Sequence, residues 1–104
     1  MALAFKTRRV NFDSTQGIRQ RQPGSVNFAR PVRAGAAGCA VKGYNIRFTS
    51  GDHPIREIEI DIDSVAINGT NVTFEVDFVL RDATGNYDDA YKGWVSVLVI
   101  ADLQ

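Results

Sequence analysis

The sequence predicts an all-β fold, a small antiparallel β-sandwich of about six or seven strands, with a small barrel as the other closure of the same strands. Three observations predict it. Apolar and polar residues alternate with a period of two in several short runs, turn residues separate those runs at close spacing, and no segment carries a helical period free of glycine. At 104 residues the chain makes one domain, 1–104, large enough to close a core without cross-links.

Along the chain, 8–12 and 25–28 read as short strands, and 16–24, rich in Gln, Arg and Gly, reads as a loop between them. Pro31 lacks an amide hydrogen and marks a strand end or edge. Residues 34–43 are mostly Ala and Gly; Gly35, Gly38 and Gly43 would each cost a helix about 1 kcal/mol, so the segment is predicted extended or irregular, its small side chains allowing close backbone packing. Tyr44, Ile46 and Phe48 then alternate with Asn45 and Arg47 up to the turn Ser50-Gly51-Asp52.

The second half is more regular. Ile58, Ile60 and Ile62 alternate with Glu57, Glu59, Asp61 and Asp63, giving one apolar face and one carboxylate face. The apolar set then shifts to Val65 and Ile67, which requires a bulge or bend at about Ser64. Asn68-Gly69 supplies a hairpin turn with φ > 0, and Val72, Phe74, Val76, Phe78 and Leu80 form the apolar face of the returning strand. After a polar segment, 82–90, the run from Trp94 to Ala101 has Ser96 as its only polar residue, the pattern of a strand at the centre of a sheet or between a core and a partner chain.

Total charge is zero but its distribution is not. Residues 1–50 carry nine Lys and Arg against Asp13 alone, and residues 51–104 carry eleven Asp and Glu against Arg56, Arg81 and Lys92. A basic half can serve nucleic acid, but the carboxylates on the same small domain would repel phosphate and no stacking aromatics interleave the basic residues, so no nucleic-acid partner is expected. Pairing of the two halves is the favoured alternative. The carboxylate row Glu57, Glu59, Asp61, Asp63 places like charges about 7 Å apart; it is either a solvated face that blocks edge pairing or a docking face for arginines from 1–50, within one chain or across a symmetric interface.

Catalytic chemistry finds little support. His53, the only histidine, sits in the turn Gly51-Asp52-His53-Pro54, and no nucleophile motif accompanies it. Cys39, the only cysteine, lies among Ala and Gly and reads as a buried inert thiol; alone it makes neither an intrachain disulfide nor a multi-cysteine zinc site. No glycine-rich nucleotide fingerprint is present, and no cofactor is expected. Asp82, Asn86, Asp88 and Asp89 cluster oxygen ligands in one loop, but their spacing departs from the EF-hand pattern and a plain polar hairpin loop is favoured over calcium. No stretch approaches the ~20 apolar residues of a membrane span. The opening Met1–Phe5 is too short for a signal peptide, with Lys6, Arg8 and Arg9 after it rather than before, which predicts a soluble chain in the cytoplasm or in a particle. Asn68-Gly-Thr70 and Asn71-Val-Thr73 match the glycosylation pattern and are read as turn and strand chemistry.

Several segments together resemble the H-type lectin family, small β-sandwich sugar-binding domains that assemble as trimers or paired trimers. Arg8-Arg9-Val10 looks like the family's opening strand, and Ser25-Val-Asn-Phe-Ala-Arg-Pro31 is similar to its apolar-x-Phe-x-x-Pro segment. Pro54-Ile-Arg56 resembles the segment carrying the sugar-contacting arginine, Leu80-Arg-Asp-Ala-Thr84 falls near the Trp-x-Asp-Thr segment, and Trp94 resembles the tryptophan of the last strand. The resemblance implies a non-enzymatic carbohydrate-binding module, a homotrimer or a multiple of one, in which Arg56 and Asp82 fix sugar hydroxyls. The family's stacking aromatic falls at Leu80, so the platform would pass to Tyr87 or Tyr91 in the nearby loop. The other reading of the same sandwich is a structural assembly or attachment component of a virion or tail, without sugar binding.

Overall fold

Alternate residues of 72–80 and of 95–103 are apolar, and these two runs become the central strands of two sheets. A computed structural model of the protein describes residues 2–16, 19–49, 55–82 and 90–104. It contains β1 (Leu3–Gln16), β2 (Gln20–Asn27), β3 (Val32–Phe48), β4 (Ile55–Asn68), β5 (Asn71–Asp82) and β6 (Ala90–Leu103), with no helix among the described residues. The first sheet has the order β1-β6-β3 and the second β2-β5-β4, and every pairing is antiparallel. The fold is therefore all-β and sandwich-like, with six strands among the described residues, which span 49 × 19 × 18 Å.

The core lies between the sheets. Val95, Val97 and Val99 on β6 face Val72, Phe74, Val76 and Phe78 on β5, all within 1% of full burial, and Phe12 of β1 stacks on Phe78 of β5 with centroids 4.2 Å apart. Chain crossings tie the ends. After β2, the Phe28 amide donates to Thr70 O and the Val32 amide to Gly69 O, at 2.8 and 2.9 Å, so the passage to β3 is fastened to the β4–β5 turn.

Several expectations hold. Residues 94–101 lie in the central strand of the first sheet. Ser64 adopts φ 55° and the β4–β5 register shifts between Asp63 and Ala66, so the change of apolar phase is absorbed by a bulge. The hairpin closes on the pair Asn68↔Asn71, with Gly69 at φ 63° in the turn.

Two expectations are corrected. Gln20–Gly24, expected as loop, is part of β2 and pairs with Phe74–Phe78. Tertiary pairing overrides the local composition there: Pro23 is tolerated on an edge strand, and Gly24 lies under the Phe74 ring, where a Cβ would come within 2.5 Å of ring carbons. Residues 34–43 are extended, as one stretch of the 17-residue β3, but not because small residues pack closely: a Cβ at Gly35, Gly38 or Gly43 would meet nothing within 4 Å. The close approach is at Gly93, where a Cβ would sit 1.8 Å from Asn45 O.

Candidate functional site

The residues singled out for sugar binding converge in part. Ile55 pairs with Asp82 in the β4–β5 ladder, which puts Arg56 and Asp82 at the same end of these two strands. Tyr87 lies outside the described residues, as do His53, Asn86, Asp88 and Asp89. Tyr91 does not provide a platform: it is fully buried, and its hydroxyl donates to Phe78 O at 3.0 Å. The strand alternation of β6 turns it inward with Val95 and Val97, a direction that the loop assignment of its neighbourhood concealed.

Two members of the carboxylate row, Glu59 and Asp63, are met within the chain by arginines of the first half, and Glu57 by Arg81 of the second. Arg21 on β2 lies opposite Asp77 on β5, which lies opposite Asp61 on β4, so one row crosses all three strands. The Arg21 guanidinium bonds Asp77 at 3.0 Å, Asp63 at 2.6 Å, and Glu75. Its hydrogen bond to Glu75, with Asp63 and Asp77 nearby, outweighs desolvation and raises its pKa further above its already high ordinary value. Arg19 pairs with Glu59 at 2.7 Å and Arg81 with Glu57 at 3.5 Å. Carboxylate oxygens of Asp61, Asp63 and Asp77 lie within 4.8 Å of one another, but a cation there would compete with Arg21 for two of the three. Asp77 across the hairpin could not be read as part of this group from β4 alone.

Topology converts the charge asymmetry of the sequence into an asymmetry between sheets. Strands β1, β3 and β6 carry seven Lys and Arg against Asp13 and Asp102, whereas β2, β4 and β5 carry seven Asp and Glu against Arg21, Arg56 and Arg81. The excess of each sign therefore lies on a different sheet, although each sheet carries both signs.

The outer face of the first sheet holds a depression of about 480 Å³ lined by Thr7, Arg9, Lys42, Gly43, Trp94 and Ser96. Register builds it. Arg9, Ser96 and Gly43 form one row across β1, β6 and β3, and Asn11, Trp94 and Asn45 form the next. The Arg9 guanidinium lies over the Trp94 ring, 3.7 Å from its centroid. Neither Arg9 nor Lys42 has a carboxylate partner among the described residues. Sequence reading missed this group because Trp94 was read only as part of the last apolar strand; the signal available was the alternation Thr7, Arg9, Asn11 opposite Trp94 and Ser96.

Cys39 is half-buried rather than fully buried, packed at the margin of the core opposite Val99, and desolvation pushes its thiol pKa up. No helix among the described residues is long and apolar enough to cross a membrane. Compared with protein-family models, curated proteins and solved structures, the chain matches no family model, no curated protein and no solved structure.

Proposed function

We propose that the chain is a non-enzymatic, lectin-like carbohydrate-binding module of H-type-lectin character that acts through multivalent oligomers, a homotrimer or a multiple of one. The observation that supports this reading is the position of Arg56 and Asp82 on adjacent strands at one end of the β4–β5 ladder; the family resemblance gives them as the cation and the carboxylate that fix sugar hydroxyls. Shallow sugar sites bind weakly one at a time, and copies presented together gain avidity. The test is a glycan array probed with labelled, folded protein. Selective binding to related sugars, lost in Arg56→Ala with mass unchanged, supports the reading; silence across the array rejects it.

A second reading, structural assembly or attachment without sugar binding, is favoured by the opposite charge of the two sheets and by Leu3 and Phe5, 56% and 60% exposed beside the basic residues of β1. Heterologous contacts between a basic and an acidic sheet would weaken as screening shortens from about 10 Å at 0.1 M salt to about 3 Å at 1 M. Light-scattering mass that falls across that range supports assembly by charge; a mass independent of salt rejects it.

A further inference from the structure

We propose that the depression beside Trp94 binds an anionic saccharide, its sulfate or carboxylate group held between Arg9 and Lys42. This goes beyond the reading placed on Arg56 and Asp82 and does not depend on it, since those residues belong to the other sheet.

Four features carry it. First, two cations without carboxylate partners among the described residues line one cavity, on the sheet that holds the positive excess. Two neighbouring cations raise the local positive potential, which attracts an anion. Second, Arg9 is placed: its guanidinium lies over the indole, 3.7 Å from the ring centroid, a contact that restrains an exposed side chain, and a guanidinium suits the paired oxygens of a sulfate or carboxylate. Third, the other polar groups suit a polyol. Thr7 and Ser96 line the depression, Thr7 exposed and Ser96 largely buried, and Asn11 and Asn45 flank Trp94 in the adjoining row, so polar residues lie beyond the charged end. Fourth, there is room. A Cβ on Gly43 would meet nothing within 4 Å, and the volume falls within the range of small-ligand sites, about 300–1,000 Å³.

The same features disfavour other anions. A single-stranded nucleic acid gains most from bases stacking on aromatic faces, and the face of Trp94 under Arg9 is taken. A second copy offering its acidic sheet is the competing occupant, but Glu57, Glu59, Asp63, Glu75 and Asp77 there are shared with arginines, so it brings less free charge to Arg9 and Lys42 than a sulfate or carboxylate does.

Trp94 is the only tryptophan, so its emission reports this cavity directly. The full chain is titrated with sulfated maltotetraose, unsulfated maltotetraose, a thymidine tetranucleotide and inorganic sulfate, with calorimetry alongside and mass recorded at the same concentrations. The expected result is saturable binding of the sulfated sugar, at least ten-fold tighter than each of the other three and weaker at higher salt. Lys42→Ala and Arg9→Ala should each weaken it about ten-fold or more, Arg9→Lys should recover only part, and Lys6→Ala, an exposed basic residue of β1 outside the depression, should leave it nearly unchanged. Lys42 is exposed on the edge strand, so its variant tests the site even if Arg9→Ala disturbs packing around Trp94. Equal binding of the tetranucleotide, of unsulfated sugar or of inorganic sulfate overturns the proposal, as does an equal loss in Lys6→Ala, absence of both emission change and heat, or an oligomer that Lys42→Ala dissociates.

Discussion

The hydroxyl of Tyr91 on β6 donates to the backbone carbonyl of Phe78 on β5 at 3.0 Å, a polar link from one sheet to the other inside an apolar core. The two rings are tilted by 36° with centroids 5.8 Å apart, and Phe78 stacks on Phe12 beyond. Tyr91→Phe keeps the ring and removes the bond, and should destabilise the fold by about 1 kcal/mol. Tyr91→Ala removes the ring as well and should cost about 3–5 kcal/mol. Urea denaturation of the two variants checks both values; a Tyr91→Phe protein with wild-type midpoint and slope would show that the bond contributes nothing.

Gly93→Ala should be among the most damaging single substitutions. Its Cβ would lie 1.8 Å from Asn45 O, a backbone atom of the paired strand, so relief requires the β3–β6 ladder to open. A loss of about 3 kcal/mol or more is expected. Gly38→Ala on the same pair of strands meets nothing within 4 Å and should be neutral or stabilise slightly, by roughly 0.5 kcal/mol. Equal melting temperatures for the two variants would contradict the steric argument.

Arg21→Met should lower the melting temperature, because Asp77, with a side chain only 8% exposed, loses its cation while Asp63 and Glu75 remain close by. Adding Asp77→Asn to that variant should recover part of the loss, since the uncompensated charge is then removed. Thermal unfolding of the single and double variants decides it; a double variant less stable than Arg21→Met would assign the effect to packing of the arginine stem instead.

Cys39 should react slowly with iodoacetamide at pH 8 compared with a small free thiol, with its rate rising only at higher pH, because burial holds the proton on sulfur. The sign for stability follows. The folded chain binds this proton more tightly than the unfolded chain, so the contribution is intact below the ordinary thiol range and is lost as pH rises through the folded value. Alkylation at the rate of a free thiol across pH 7–10 would show that the side chain is not desolvated.

Strands whose polarity alternates within themselves were legible in the sequence. The Ile58–Ile62 and Val72–Leu80 alternations announced β4 and β5, their phase slip located the bulge at Ser64, and the apolar run 94–101 announced a central strand. Gln20–Gly24 was not legible, because its strand character comes from pairing with β5 and from the ring of Phe74 over Gly24. The candidate sites divide the same way. Arg56 and Asp82 could be named from their segments, whereas the direction of Tyr91 and the grouping of Arg9, Lys42 and Trp94 depend on registers between strands far apart in sequence. Likewise the arginine partners of the carboxylate row could be anticipated as a class, but Arg21 could be identified only once β2 was known to lie beside β5.

The place of β6 between β1 and β3 also constrains the order of events during synthesis. The β4–β5 hairpin closes over a short turn and can form as soon as it leaves the ribosome, but β1 and β3 have no partner within the first sheet until residues 90–103 emerge. Through most of translation the nascent chain therefore exposes two long unpaired strands, among them the 14-residue β1 with Leu3 and Phe5. Their excess of Lys and Arg then has a second value, keeping those waiting edges apart by mutual repulsion until the last strand arrives between them.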